Sequence, residues 1–285
     1  MGSREWGLGM KALFVYFTLR LRTKTLLTVH CSPLTPHSPL PTPYSQSLVP
    51  SPPFMLTSTY MDITKTLLLE IDVQNDFCPA YGQNKDGALA VPEGCAVVKP
   101  LNALAAAVAG AGGFVAATQD WHPAGHVSFA SSHPGKKPGD LIDIGGQAQG
   151  LWPDHCVQTG WGADFHAGLD LKPVHLIVRK GYRKGLDSYS AFFENDRKTA
   201  TGLEGWIRGL GIDTVIIGGL ATDYCVFFSA MDSKKLGFDT IIINDAVRGV
   251  GLPAGSVEKA VAQMRASGIA FAASGELSVS LLGGF

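Results

Sequence analysis

Six short apolar runs constrain what this chain can fold into more than any other feature. Thr66–Asp72 reads Thr-Leu-Leu-Leu-Glu-Ile-Asp, and Phe114–Thr118 leads into Gln119-Asp120. Val174–Val178 leads into Arg179-Lys180, Thr214–Ile217 into Gly218-Gly219 and Thr240–Ile243 into Asn244-Asp245, while Ile269–Ala273 ends the series. Runs apolar at nearly every position, rather than at alternate ones, describe strands covered on both faces. Helical segments fall between several of them. Ala96–Val108 is Ala-rich and stops at Gly110, with Pro100 tolerable only in a first turn. Gly202–Leu210 spaces Leu203, Trp206, Ile207 and Leu210 helically, and Tyr224–Leu236 ends at Gly237. Ser256 reads as an N-cap before Val257, Ala260, Val261 and Met264, with Gly268 just beyond. Alternating strands and helices predict an α/β fold of three layers, α/β/α, doubly wound around a mostly parallel six-stranded sheet. Ala124–Gly160 has no strong period, and a loop that long inside a compact domain is usually functional.

The first sixty residues do not share this pattern. Residues 1–61 contain one acid, Glu5, against Arg4, Lys11, Arg20, Arg22 and Lys24, and eight of the 17 prolines fall between Pro33 and Pro53. Such a tract is expected to be extended or disordered, leaving residues 61–285 as a single domain. Its composition also fits an organelle transit peptide, and Met55 and Met61 are alternative starts. Ala12–Val29 is too short and too charged to span a membrane. With 23 Lys+Arg against 24 Asp+Glu, the formal charge of −1 excludes a broad nucleic-acid footprint. Five widely spaced Cys predict reduced thiols and a cytoplasmic setting, with organelle targeting through residues 1–60 as the alternative. Oligomeric state is open, and a homo-oligomer is allowed.

Reactive residues sit at strand ends, where open α/β sheets bind ligands. Asp72 closes the first run, Asp120 follows the second, Lys180 the third and Cys225 the fourth. Cys225 lies in Gly218-Gly-Leu-Ala-Thr-Asp-Tyr-Cys, between strand and helix. A cap from Thr222 or Asp223 would put it in the first helical turn, where the helix dipole lowers a thiol pKa. Cys31, Cys78, Cys95 and Cys156 read instead as small hydrophobes. Lys180 could stabilise a thiolate, and Asp72 could carry its proton, although Asp76 competes for that role. Asp120-Trp-His122-Pro-Ala-Gly-His126 and His155 form a second cluster. Imidazole and carboxylate suit zinc, iron or manganese. Asp120 and His122, two apart on an extended segment, point the same way, and His155 could complete a partial site. His126 reads as a brace for the loop, while His133 and His166 are unconnected to it.

Asp-Val-Gln-Asn-Asp-Phe-Cys (72–78), Gln-Asp-Trp-His-Pro-x-x-His-x-Ser-Phe-Ala (119–130), Leu-Trp-Pro-x-His-Cys-Val (151–157), Lys-Gly (180–181), Asp-Ser-Tyr-Ser-Ala-Phe (187–192) and Ala-Thr-Asp-Tyr-Cys-Val (221–226) follow in order. Together they resemble the nicotinamidases, a branch of the isochorismatase-like cysteine hydrolases. The resemblance implies strand order 3-2-1-4-5-6 and a Cys225–Asp72–Lys180 triad. It implies one divalent metal, zinc before iron or manganese, on Asp120, His122 and His155. It further implies a cis peptide before Ala221, an oxyanion hole from the Ala221 and Cys225 backbone N–H groups, and a pocket lined by Phe77, Trp152 and Tyr189. The implied reaction is hydrolysis of nicotinamide to nicotinate and ammonia through a thioester, in NAD salvage. The alternatives are a related hydrolase acting on another carboxamide, carbamoyl or ureido group, and a catalytically silent binding protein. Residues 1–60 have no counterpart in compact members, Pro79–Asp86 is longer than usual, and 136–149 is variable.

Overall fold

The computed structural model of the chain describes residues 61–78 and 87–277. The N-terminal tract, Cys31 and the segment Pro79–Asp86 lie outside the described residues. In chain order the elements are β1 (Thr66–Ile71), α1 (Val98–Gly110), β2 (Phe114–Asp120), β3 (Leu141–Ile144), β4 (Gln147–Gly150), β5 (Leu176–Lys180), α2 (Leu203–Gly209), β6 (Thr214–Leu220), α3 (Cys225–Lys235), β7 (Asp239–Arg248), α4 (Ser256–Ala266) and β8 (Ala270–Ala272). Six strands form one parallel sheet in the order β5-β2-β1-β6-β7-β8, which is 3-2-1-4-5-6 counting only its own strands.

The apolar runs explain the layers. Successive strand residues face opposite sides of a sheet, so Leu68 joins one core while Leu67 and Leu69 join the other. The first core takes Leu101, Leu104, Ala105 and Val108 from α1. The second takes Leu203 and Ile207 from α2, Val226 and Ala230 from α3, and Met264 from α4. Each fully buried Leu or Ile contributes about 1.5–3 kcal/mol relative to exposure. Both β1 and β6 are buried along their whole length.

Four expectations are corrected. Strand β5 is an edge, so its residues are not all covered, and Ile177 is 45% exposed. Loop Ala124–Gly160 contains the antiparallel hairpin β3–β4, turned at Gly145-Gly146 with φ of 61° and 87°. Both its faces are largely exposed, so no apolar period marks it. Neither Thr222 nor Asp223 caps α3. The Asp223 carboxylate instead accepts from the Val250 and Gly251 N–H groups and the Ser256 hydroxyl, so three donors hold it across the site loop. That bond also takes Ser256 away from capping; Gly255 precedes α4, and Ser256 is its first residue. Among the described residues no helix is long and apolar enough to cross a membrane.

Candidate active site

The strand order lays four chain segments side by side. Lys180 ends β5, Asp120 ends β2, Asp72 follows β1, and the loop after β6 delivers Cys225 as the first residue of α3. Asp72 turns away from the strand with φ of 48°, a region that Asp tolerates better than most residues. Thr118 on β2 holds it, donating to Oδ1 at 2.6 Å and accepting the Asp72 N–H at 3.1 Å. Lys180 is fully buried. Its Nζ lies 2.8 Å from Asp72 Oδ2 and 3.4 Å from Cys225 Sγ, and it donates to Ser188 O at 3.1 Å. It also donates to Asp120 Oδ1. Sequence reasoning treated triad and metal cluster separately; Lys180 joins them.

Four buried groups therefore titrate together. Burial opposes a charge on Lys180, but Asp120 and Asp72 outweigh it and hold the ammonium well above its usual range. Burial pushes Asp72 up, partly offset by Lys180, so its carboxylate is more basic than an exposed one. Burial would also raise Asp120, yet Lys180 and His122 keep it ionised. Cys225 corrects the expected lowering. Burial drives its thiol well above normal; Lys180 pulls it back down, and Asp72 and Asp120 add to the rise. Cys225 thus stands as a high-pKa thiol beside Asp72, whose own pKa is raised by burial.

Asp120, His122 and His155 bring one ligand atom each within a common 4.8 Å. Asp120 Oδ2 lies 3.5 Å from His122 Nε2 and 3.9 Å from His155 Nε2. Each ring turns its Nδ1 to a backbone carbonyl, His122 to Gly181 at 2.9 Å and His155 to Pro153 at 2.7 Å. That arrangement turns Nε2 of both rings toward the Asp120 carboxylate, and a carbonyl on Nδ1 is the usual outer support of a metal-bound imidazole. The donor set thus fits a divalent cation such as zinc. His126 stacks on His122 at 4.2 Å, and both its nitrogens are engaged, with Ser128 Oγ at 2.7 Å and Leu186 O at 3.2 Å. Its geometry is that of a brace, although His122, His126 and Asp187 also converge.

Two supporting residues were not assigned from sequence. Gln74 clamps the Asp120 backbone, accepting its N–H at 2.8 Å and donating to its carbonyl at 2.9 Å. Asp76, the competitor for Asp72, accepts from the Ala88 N–H at 2.9 Å and the Cys156 N–H at 2.7 Å, thereby fixing the residue after His155. Phe77, Trp152 and Tyr189 line the pocket over Cys225, joined by Leu89, Tyr224 and Val250. The Leu220–Ala221 peptide is cis. Ala221 is buried beside the nucleophile, and its carbonyl accepts the Tyr224 and Val226 N–H groups. His133 and His166 bond locally, to Val127 O and the Gly168 N–H.

The model of the family described as Isochorismatase domain matches residues 66–275. A nicotinamidase of Acinetobacter baylyi is 44% identical over 202 residues, covering 71% of this chain and 89% of that protein. The solved nicotinamidase/pyrazinamidase of Acinetobacter baumanii superposes with a TM-score of 0.69 at 42% identity, covering 75% of this chain and 98% of that one. A Pyrococcus horikoshii pyrazinamidase solved in complex with zinc has a TM-score of 0.59 at 32% identity, covering 73% and 99%. The chain belongs to the isochorismatase family, among the amide-bond hydrolases of its nicotinamidase branch.

Proposed function

We propose that this chain hydrolyses nicotinamide to nicotinate and ammonia with Cys225 as nucleophile, Asp72 as proton carrier and Lys180 as their electrostatic support. The observation that carries the reading is the Lys180 ammonium, which touches Asp72, Asp120 and Cys225 at once. Asp72 takes the thiol proton as Sγ attacks the carboxamide carbon, and the Ala221 and Cys225 N–H groups receive the developing oxyanion. Collapse breaks the C–N bond, and Asp72 returns the proton to the departing ammonia. Asp72 then draws a proton from water, which attacks the thioester, and Cys225 leaves with that proton as nicotinate is released. Lys180 keeps Asp72 ionised between transfers.

A divalent cation on Asp120, His122 and His155, zinc before iron or manganese, would supply a Lewis-acidic point for orienting the pyridine ring. Phe77, Trp152 and Tyr189 would pack against the ring. The reaction would place the protein in NAD salvage. Ammonia release from nicotinamide tests the reading. Turnover is expected, and Cys225→Ala should lower it by at least about a thousandfold without unfolding the protein. No turnover on nicotinamide, with hydrolysis of a carbamoyl or ureido compound instead, would replace the substrate; normal turnover by Cys225→Ala would replace the mechanism.

A further inference from the structure

The β3–β4 hairpin is exposed or half-exposed at every residue but one: Gln149 is 5% exposed. An amide is costly to bury without partners, and this one is fully engaged. Its Oε1 accepts from Asn195 Nδ2 at 3.3 Å. The two hydrogens of its Nε2 are shared among Asp187 Oδ2 at 2.7 Å, Gly150 O at 2.9 Å and the Tyr189 hydroxyl at 3.3 Å. Asn195 closes the ring of contacts by accepting the Tyr189 N–H at 2.9 Å, while its own N–H donates to Asp187 O at 2.7 Å.

These bonds meet at the aromatic wall of the pocket. The Tyr189 hydroxyl also accepts from Trp152 Nε1 at 3.1 Å. Tyr189 stacks on Phe228 at 5.3 Å, and both Tyr189 and Trp152 pack against Tyr224, at 5.6 and 4.8 Å. Tyr189, Trp152 and Asp187 line the catalytic pocket, and Gln149 stands behind them. A phenol ring stacked on one face can still pivot about its stack. The N–H groups of Gln149 and Trp152 both reach its oxygen and restrain that freedom.

We propose that Gln149 is a positioning residue for substrate fit, acting through the Tyr189 hydroxyl to set the aromatic wall against which a planar six-membered carboxamide ring packs. The exposed hairpin thus tunes the pocket through one buried side chain. The proposal rests on the nicotinamide reading, and the wild-type protein separates the two: absence of wild-type turnover sinks that reading before any variant is compared.

Steady-state kinetics on nicotinamide, with thermal unfolding as a folding control, test the role. Gln149→Leu keeps the bulk and removes the donors. Its KM should rise about five- to tenfold, the size of one lost neutral hydrogen bond, with kcat within about threefold. Adding Tyr189→Phe to Gln149→Leu should change KM by less than about twofold further, because residues acting as a unit are not additive. An unchanged KM in folded Gln149→Leu, a loss confined to kcat, or multiplying effects in the double variant would each overturn the proposal. Should Gln149→Leu fail to fold, Tyr189→Phe alone decides it: KM must rise at least about threefold, and an unchanged value refutes the role.

Discussion

Glu70 stands in the middle of β1, fully buried, with neither carboxylate oxygen hydrogen-bonded. Its register partners, Ala117 and Gly218, are small enough to leave room for it. Burial pushes its pKa up to about 8, with Asp170 adding to the shift. The unfolded carboxyl ionises near its ordinary 4.5, so the folded state disfavours ionisation that the unfolded state allows. Stability is therefore unaffected below about pH 4.5, falls by up to about 1.4 kcal/mol per pH unit above it, and levels off once the folded group ionises near 8. Glu70→Met should raise Tm at pH 7 and flatten the decline of Tm between pH 5 and 8. Thermal unfolding across that range measures it, and parallel curves for the two proteins would refute the account. The sequence shows Glu70 only as an acid interrupting an apolar run. Asp72, Lys180 and Cys225 were legible because each closes or follows a run and carries chemistry. Gln74, Asp76 and Gln149 were not, because their partners lie 46, 80 and 38 residues away.

At the scale of elements, the turn after β5 orients His122, a candidate metal ligand, as well as ending a strand. Gly181 has φ of 62°, and a Cβ there would stand 2.5 Å from His122 Cε1 and 2.7 Å from Nδ1. Its carbonyl also holds the His122 ring by Nδ1. Gly181→Ala would strain the turn and push the imidazole off Asp120. Loss of such outer support typically costs 10–100-fold in metal affinity, so zinc affinity of Gly181→Ala should fall by at least about tenfold. Competition with a chromophoric chelator gives the affinity directly; an unchanged value would show that His122 does not depend on this turn. Helices α1 to α4 were each anticipated to within a few residues, since each shows an apolar stripe or a Gly stop. Hairpin β3–β4 was not, because Leu141 is 69% exposed and β3 buries none of its residues, so its apolar residues mark no core face.

Across the whole molecule, the described residues are tied into the fold from Met61 onward. Met61 and Ile63 pack against the first core, and Asp62 caps the short turn before β1, accepting the Thr64 N–H at 3.1 Å. A chain starting at Met61 should keep kcat/KM within about twofold of the full chain, since both cores and every candidate site residue lie from Met61 onward. A tenfold loss would give residues 1–60 a part in the site. Periodicity is a local property, so the succession of apolar runs and helical stripes determined the α/β fold, and the polar residues closing those runs named the reactive set. Tertiary structure decided which charges meet. The 3-2-1-4-5-6 order sets Lys180 against Asp120 and Asp72 together, and burial of that cluster pushes the Cys225 thiol pKa up. A side chain's pKa depends on desolvation and on charges from distant segments, and neither can be read before those segments are packed.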